Sequence, residues 1–512
     1  MRRLALALLL TVVVFAGLRW GTFAVGGSDS YCYVHQAERW ASLLRLGFGG
    51  EAPGLQVAEP LALEAPWPNA PLTFAPAGHV PSQTVPGALV PICPSGLSIV
   101  MALMLALGGA RAIFLVVPLF GALLVWATFT CGSRFGSRVG LASAVLAACS
   151  PPFLYQLVQP MSDVPAAALW MLAVAAVTGT KPRGPVVAGL ATAAAIVMRP
   201  NLVPMAIPIG LFILFRPERS WPDRLQGAIR FAAAAAPGAI AVAFIQRAFY
   251  GSPLQSGYGS LAALFSASHV VPNAIRYFSW MTQSHTVGWL LALAAPFLLP
   301  GPLTALFISL FLVNAASYLP YAVFEDWAYL RFLLPTVPLL LILTVAVVDA
   351  ICRRIRPAMA PAVVGVVALF LAVLFIGDAR ERAVFRLQRL EARFERAGTY
   401  VGQRLPSNAI IITSWQSGSV RFYGHRRTLV WDGLDPAWLD RAIDFLRARG
   451  LEPYLLFETW EEPIFRSRFA SSPIGALDWP PMAEVTSQVR IYRPDDRERY
   501  ARGTQPPIEY VR

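Results

Sequence analysis

Lysine is all but missing: Lys181 is the only one in 512 residues, so arginine carries nearly all the positive charge behind the net +13. That bias reads as genome composition and supports no mechanism. Charged residues of either sign are scarce too, 14% against 56% hydrophobic, with a mean hydropathy of +0.55, which excludes a single soluble domain. No G-x-G-x-x-G or P-loop motif occurs, so no nucleotide-sugar or ATP site is indicated. No Ser or Cys sits in an elbow motif with a His partner, which argues against covalent catalysis. The five cysteines (Cys32, Cys93, Cys131, Cys149 and Cys352) show neither CxxC spacing nor a His at metal-ligand spacing. Unpaired structural thiols are the expectation, although Cys32 and Cys93 fall in one outer connection and could bridge.

What the chain does have is apolar segments long enough to cross roughly 30 Å of hydrocarbon, recurring from Leu4 to Ile376, followed by a mixed, charged tail. The first, Leu4 to Val25, precedes a poor small-x-small cleavage site in "TFAVGGSDS" and reads as an uncleaved helix. The arginines gather in short loops: Arg134 and Arg138; Lys181 and Arg183; Arg216 to Arg230; Arg353 to Arg356. The positive-inside rule makes those loops cytoplasmic, which accounts for the charge without nucleic acid as a partner. An even number of apolar segments separates successive members of this set. Met1-Arg2-Arg3 also reads as cytoplasmic, yet three segments lie between it and Arg134, so one of them does not cross. The weakest is Pro94 to Leu107, about 14 residues and better suited to an interfacial helix.

The fold expected is therefore an α-helical polytopic membrane protein of about eleven transmembrane helices: 4–25, 111–130, 138–156, 164–179, 185–199, 201–215, 229–249, 286–300, 302–320, 332–351 and 360–376. Residues 1–377 form the membrane domain, with the outer loop 26–110 carrying the interfacial helix. Residues 378–398 read as a helical connector, and 399–512 as an extracytoplasmic α/β domain. In that tail "NAIIITSW", "RTLVWDGL", "EPYLLFETW" and "SQVRIYR" read as strands alternating with helices, implying a mostly parallel sheet. The protein is placed in the cytoplasmic (inner) membrane, N-terminus in, C-terminal domain out.

On that topology the outer face collects acids and arginines that orientation does not explain: Asp29, Asp163, Glu325, Asp326, Arg199, Arg276 and Arg331. Each has a bland alternative. Asp29 and Asp163 stand where a helix N-cap is expected, Glu325 and Asp326 could be solvated loop acids, and the lone His269 and His285 read as structural or exposed.

The order of features resembles the GT-C class of polytopic glycosyltransferases, which includes protein O-mannosyltransferases and the lipid A aminoarabinose transferase. "SDSYCYVHQAERW" looks like the Asp-containing motif after the first membrane helix, with Ser30 where the family more often has a second acid. "VPICPSGLSIVMALMLALGG" resembles the Pro-rich entry to an interfacial helix, and "MSDVP" the acidic second outer loop. "MRPNLVP", "FYGSPLQSGYG" and "YLRFLLPTVPLLL" resemble further segments. The resemblance, over about Arg2 to Ile376, implies transfer of a sugar from a polyprenyl-phosphate donor to a lipid, glycan or protein acceptor at the outer face.

Such a reaction needs cationic stabilisation of the departing phosphate and a base for the acceptor. Asp29 is then the base, or a carboxylate holding the acceptor or a divalent ion, and Asp163 a second carboxylate. Arg331 is the first candidate for the donor phosphate, followed by Arg199 and Arg276. Tyr31, Tyr33, Tyr258 and Tyr321, with Glu325 and Asp326, are candidate substrate contacts; anchoring at the membrane interface explains the tyrosines equally well. No cofactor is certain; Asp29 and Asp163 could share Mg²⁺ or Mn²⁺ with phosphate oxygens. The rival from another class is a lipid or sugar transporter or flippase, which the lack of an evident internal repeat disfavours.

Overall fold

The computed structural model describes residues 2–45, 55–216, 218–259, 261–505 and 507–511. Part of the long outer loop, 46–54, lies outside the described residues. The chain divides into two compact units: Met1–Gly21, Pro94–Ile245 and Tyr258–Leu387 in one, and Thr22–Cys93, Gln246–Gly257 and Gln388–Arg512 in the other.

The first unit is helical throughout. Four described helices are long and apolar enough to cross a membrane: Arg3–Trp20, Ala110–Gly132, Trp221–Tyr250 and Pro357–Glu381. Two more spans result if each bent pair counts as one: Ser137–Cys149 with Pro151–Leu157 (60°) and Trp327–Leu333 with Val337–Ile355 (80°). The remaining five of the eleven expected spans are shorter apolar helices: Asp163–Val177, Gly184–Met198, Pro200–Leu214, Val287–Leu298 and Pro302–Tyr318. A helix of 15 residues such as Asp163–Val177 rises about 22 Å, less than the hydrocarbon core. Pro94 to Leu107 forms a helix over Ser95–Gly108, 14 residues long.

Small residues let these helices approach closely, the packing mode favoured where lipid removes the hydrophobic drive. A Cβ on Gly96 would stand 2.6 Å from backbone atoms of Met198, and one on Gly238 would stand 2.3 Å from the Ala193 carbonyl oxygen. Helix Asp163–Val177 is buried along nearly its whole length, as is Val337–Val347. Between the expected spans 229–249 and 286–300 lies a further helix, Val270–His285, whose apolar residues punctuate a polar sequence and so escape a search for long apolar runs. Its Asn273 amide donates to the carbonyls of Leu319 (3.0 Å) and Tyr321 (2.6 Å), tying it to the end of helix Pro302–Tyr318.

The second unit holds two sheets. The smaller has β1 (Val57–Ala58), β2 (His79–Pro81) and β3 (Ala88–Pro91), antiparallel, with β3 in the middle. The larger joins β4 (Ala409–Ile412), β5 (Arg427–Leu429), β6 (Glu452–Glu458), β7 (Ala483–Val485), β8 (Val489–Tyr492) and β9 (Glu509–Val511) in the order β5-β4-β6-β8-β7-β9. β4 pairs parallel with both β5 and β6, whereas β8 is antiparallel to β6 and β7. β7 also pairs parallel with β9, so the sheet is mixed, with three parallel pairings and two antiparallel ones; a loop of three residues between β7 and β8 makes the antiparallel hairpin, and no crossover helix intervenes there.

The core of the tail is shared with the outer loop: Leu61, Trp67, Ala70 and Phe74 are buried together with Ile412, Leu429, Trp431, Leu455 and Phe457. The Val430 N–H completes this join by donating to the Thr73 carbonyl at 2.6 Å. Cys32 and Cys93 are not unpaired thiols but a disulfide. It fastens helix Asp29–Arg45 to the segment that leaves β3.

Candidate active site

In the helical unit, Asp163 is the first residue of its helix, and no side-chain hydrogen bond caps that helix from Ser162. The carboxylate instead meets Arg199 Nη2 at 2.9 Å with its side chain fully shielded from solvent. Arg199 stands just past the end of helix Gly184–Met198, where a cation is favoured by the unpaired carbonyls. Its Nε donates to Ser162 Oγ and its Nη1 to the Tyr318 hydroxyl, both at 3.3 Å. Asn201 Nδ2 donates to the same hydroxyl at 2.8 Å. One acid and one arginine are thus locked to each other, with the arginine also held by Ser162 and by Tyr318, which Asn201 holds in turn.

The Phe332 ring organises what lies beside this pair. Tyr318 stacks on it with centroids 4.5 Å apart and planes nearly parallel. The Arg199 guanidinium stands 5.7 Å from its centroid and that of Arg331 5.6 Å, with Arg331 also 5.1 Å from the Tyr329 ring. Two of the arginines expected at a phosphate site therefore converge on one aromatic ring, within reach of cation–π attraction. Tyr321 joins the same cluster through edge contacts with Phe332 and Tyr318.

Other candidates fall elsewhere. Arg276 pairs with Glu325 at 3.6 Å, and because the glutamate side chain is 91% exposed the contact is worth little. Asp326 accepts from the Ala328 N–H at 2.7 Å and caps the turn Trp327–Leu333, the bland role weighed for it. Tyr258 is largely exposed. His285 is buried against Ser150 Oγ (2.9 Å), a packing role.

In the second unit Asp29 opens helix Asp29–Arg45 and is half-buried. Tyr31 and Tyr33 on the same helix are buried, and burial pushes the Tyr31 phenol up to about 12, so it stays a neutral hydrogen-bonding group. Ser30, at the position of the second family acid, donates from Oγ to the Gly26 carbonyl and accepts from the Gly26 N–H at 3.1 Å, closing the turn into the helix. Asp163 is committed to Arg199, and no three His, Cys, Asp or Glu side chains that could hold a metal ion gather among the described residues.

Sequence reasoning named both charged members of the buried pair but not their supports. Ser162, Asn201, Tyr318 and Phe332 went unnoticed, although Ser162 and Asn201 stand within two residues of Asp163 and Arg199 in the quoted motifs.

Residues 94–248 match the family model described as dolichyl-phosphate-mannose-protein mannosyltransferase. No curated protein sequence matches the chain. Among solved structures the chain is similar to ArnT from Cupriavidus metallidurans bound to undecaprenyl phosphate, at 11% identity and TM-score 0.57, covering 96% of this chain and 97% of that one. It is also similar to the oligosaccharyltransferase AglB from Archaeoglobus fulgidus in complex with an inhibitory peptide and a dolichol-phosphate, at 10% identity and TM-score 0.54 over 93% and 72%. A third is the arabinofuranosyltransferase AftD from Mycobacteria, at 15% identity and TM-score 0.52, where 90% of this chain spans 37% of that one. The matched segment covers less than a third of the chain, and the structural matches show a shared fold: the chain has the architecture of these solved polytopic transferases.

Proposed function

We propose that the protein is a membrane glycosyltransferase that moves a sugar from a polyprenyl-phosphate donor to an acceptor hydroxyl or amine at the outer face of the cytoplasmic membrane. The observation that carries this reading is the cluster of Asp163, Arg199 and Arg331 around Phe332, in a fold whose solved examples include one with undecaprenyl phosphate and one with a dolichol-phosphate. Two guanidiniums beside one ring suit a phosphate that gains charge as its bond to the sugar breaks.

In the proposed step the acceptor oxygen forms a bond to the anomeric carbon. The bond from that carbon to the phosphate oxygen breaks, and its electron pair leaves with polyprenyl phosphate. The acceptor proton passes to the Asp29 carboxylate. Arg331 steadies the leaving phosphate. Asp163 does not touch the reacting atoms in this reading; it is a positioning residue that fixes the Arg199 guanidinium through the 2.9 Å pair. The N-terminus is taken as cytoplasmic and the sheet-bearing unit as extracytoplasmic. The sugar and the carrier length are not assigned.

Membranes carrying the wild type, Asp29→Asn or Arg331→Ala are assayed for sugar transfer from polyprenyl-phosphate donors. Each variant is expected to lose at least a hundredfold in rate, the usual scale for removing a general base or an electrostatic stabiliser. Full activity in both, with folded expression, would overturn the assignment.

A further inference from the structure

The sheet-bearing unit contains a cavity of about 560 Å³, within the range of small-molecule sites, that the reaction above does not use. Its lining comes from helix Asp29–Arg45, the outer-loop segment with the small sheet, helix Ser417–Gly424, the turn after it and the start of β5. Tyr31, His35 and His79 line it, with ring centroids 5.2 Å apart in each pairing. Arg421 and Arg427 line it too, and Glu38 is the one acid among its described lining residues.

The cationic lining is built, not incidental. Arg421 Nε donates to Thr428 Oγ1 (2.7 Å) and Nη2 to the Phe74 carbonyl (2.7 Å), with Glu59 Oε2 at 3.5 Å, leaving Nη1 without a partner among the described residues. A guanidinium held in this way presents its remaining donors at little entropic cost. Arg426 adds charge, although its nitrogens are spent on the carbonyls of Gly402, Leu405, Pro406 and Gly424. Arg427 is exposed at the start of β5, with no ion pair among the described residues. Three arginines against Glu38 in the lining and Glu59 beside Arg421 leave this concave surface with an excess of positive charge.

In the same lining, the His35 and His79 rings meet at 3.2 Å, Nδ1 to Nε2. Burial, with Arg39 and Arg421 adding repulsion, lowers His35 to about 4 and holds His79 well below its usual range. Near neutral pH this part of the lining is therefore uncharged and aromatic, with ring N–H and phenol groups available as hydrogen-bond partners. Aromatic polar groups and arginines lining one cavity fit a sugar ring that bears an anionic group.

We propose that this cavity binds an anionic sugar, a monosaccharide unit carrying phosphate or carboxylate, and that this unit belongs to the acceptor. The acceptor assignment rests on the transferase reading; the binding does not. The full-length protein in detergent is titrated with glucose 1-phosphate, glucuronate and glucose by isothermal calorimetry. Both anions are expected to bind at least tenfold more tightly than glucose, and Arg427→Gln and Arg421→Gln each to weaken them at least threefold. Arg427→Gln removes no structural contact, so its result stands even if Arg421→Gln fails to fold. Equal affinity for glucose and the anions, no binding at millimolar concentration, or unchanged affinity in Arg427→Gln would overturn the site.

In an active transfer assay, glucose 1-phosphate is expected to raise the acceptor KM and leave kcat unchanged. Binding without such competition would overturn the acceptor role. An inactive wild type would instead count against the transferase reading, and the calorimetry would still decide the cavity.

Discussion

The Asp163–Arg199 pair invites a test in which the two variants are predicted to differ. At 2.9 Å and an effective dielectric near 20, the attraction is about 6 kcal/mol gross. Most of that repays the desolvation of two charges, so the informative quantity is the cost of orphaning one partner, about 3–5 kcal/mol for a buried pair. The Asp163 side chain has no exposure, while Arg199 retains 12%. Arg199 also keeps Ser162, Tyr318 and the Phe332 face when the acid is removed, whereas Asp163 keeps nothing of comparable strength when the arginine is removed. Arg199→Gln should therefore destabilise by about 4 kcal/mol, in the middle of that range, and Asp163→Asn by about 3, at its lower end. The double variant should cost less than the sum by at least about 2 kcal/mol, because each single change already spoils the interaction. Unfolding in mixed micelles by SDS titration, followed by tryptophan fluorescence, measures all four corners of the cycle. Additive losses would refute the pairing, and a larger loss for Asp163→Asn would refute the argument from unequal support.

Three other perturbations follow from the geometry. The Cys32–Cys93 disulfide closes a loop with a sequence separation of 61, so the double Ser variant should lose about 4 kcal/mol on the chain-entropy account, seen as a lower melting temperature that reducing agent no longer shifts. Gly96→Val should destabilise by about 1–3 kcal/mol in the same micelle titration, since the new Cβ meets Met198 backbone and not a side chain that can swing aside. Burial raises Glu461 to about 7, although its carboxylate accepts the Trp415 and Glu458 N–H groups. A carboxyl raised in the folded state contributes stability that is full below its unfolded value of 4.5 and lost as pH rises through about 7. Melting curves between those limits should fall with pH in the wild type, and the slope should flatten in Glu461→Gln.

How much of this was legible in the sequence depends on whether the deciding forces are local. The helical unit was readable because each apolar segment reports its own lipid or core contact. "NAIIITSW" and "EPYLLFETW" were readable for the same reason, and β4 and β6 lie within them. What failed was partnership. Nothing in "PLALEAPWPNAPLTF" says that Leu61, Trp67 and Phe74 will be buried against β4 and β6, some 350 residues later. β7 and β9, three residues each, are too short to show an alternation, so the mixed order of the sheet could not emerge.

The candidate site shows the same division, with a consequence for how its residues are understood. An acid beginning a helix has two cheap explanations in sequence, cap or catalyst, and periodicity cannot choose between them. The structure supports a third, in which the charge is spent on an arginine that ends another helix. Helix termini favour those charges in those places: the carboxylate meets the positive end of one dipole and the guanidinium the negative end of the next. The pair is therefore held by two helix ends as well as by its own attraction, which keeps the guanidinium beside Phe332 in a fixed orientation. On the proposed reading, a cation fixed before the donor phosphate arrives needs no reorganisation when charge develops, the kind of electrostatic stabilisation that is usually the largest single contribution.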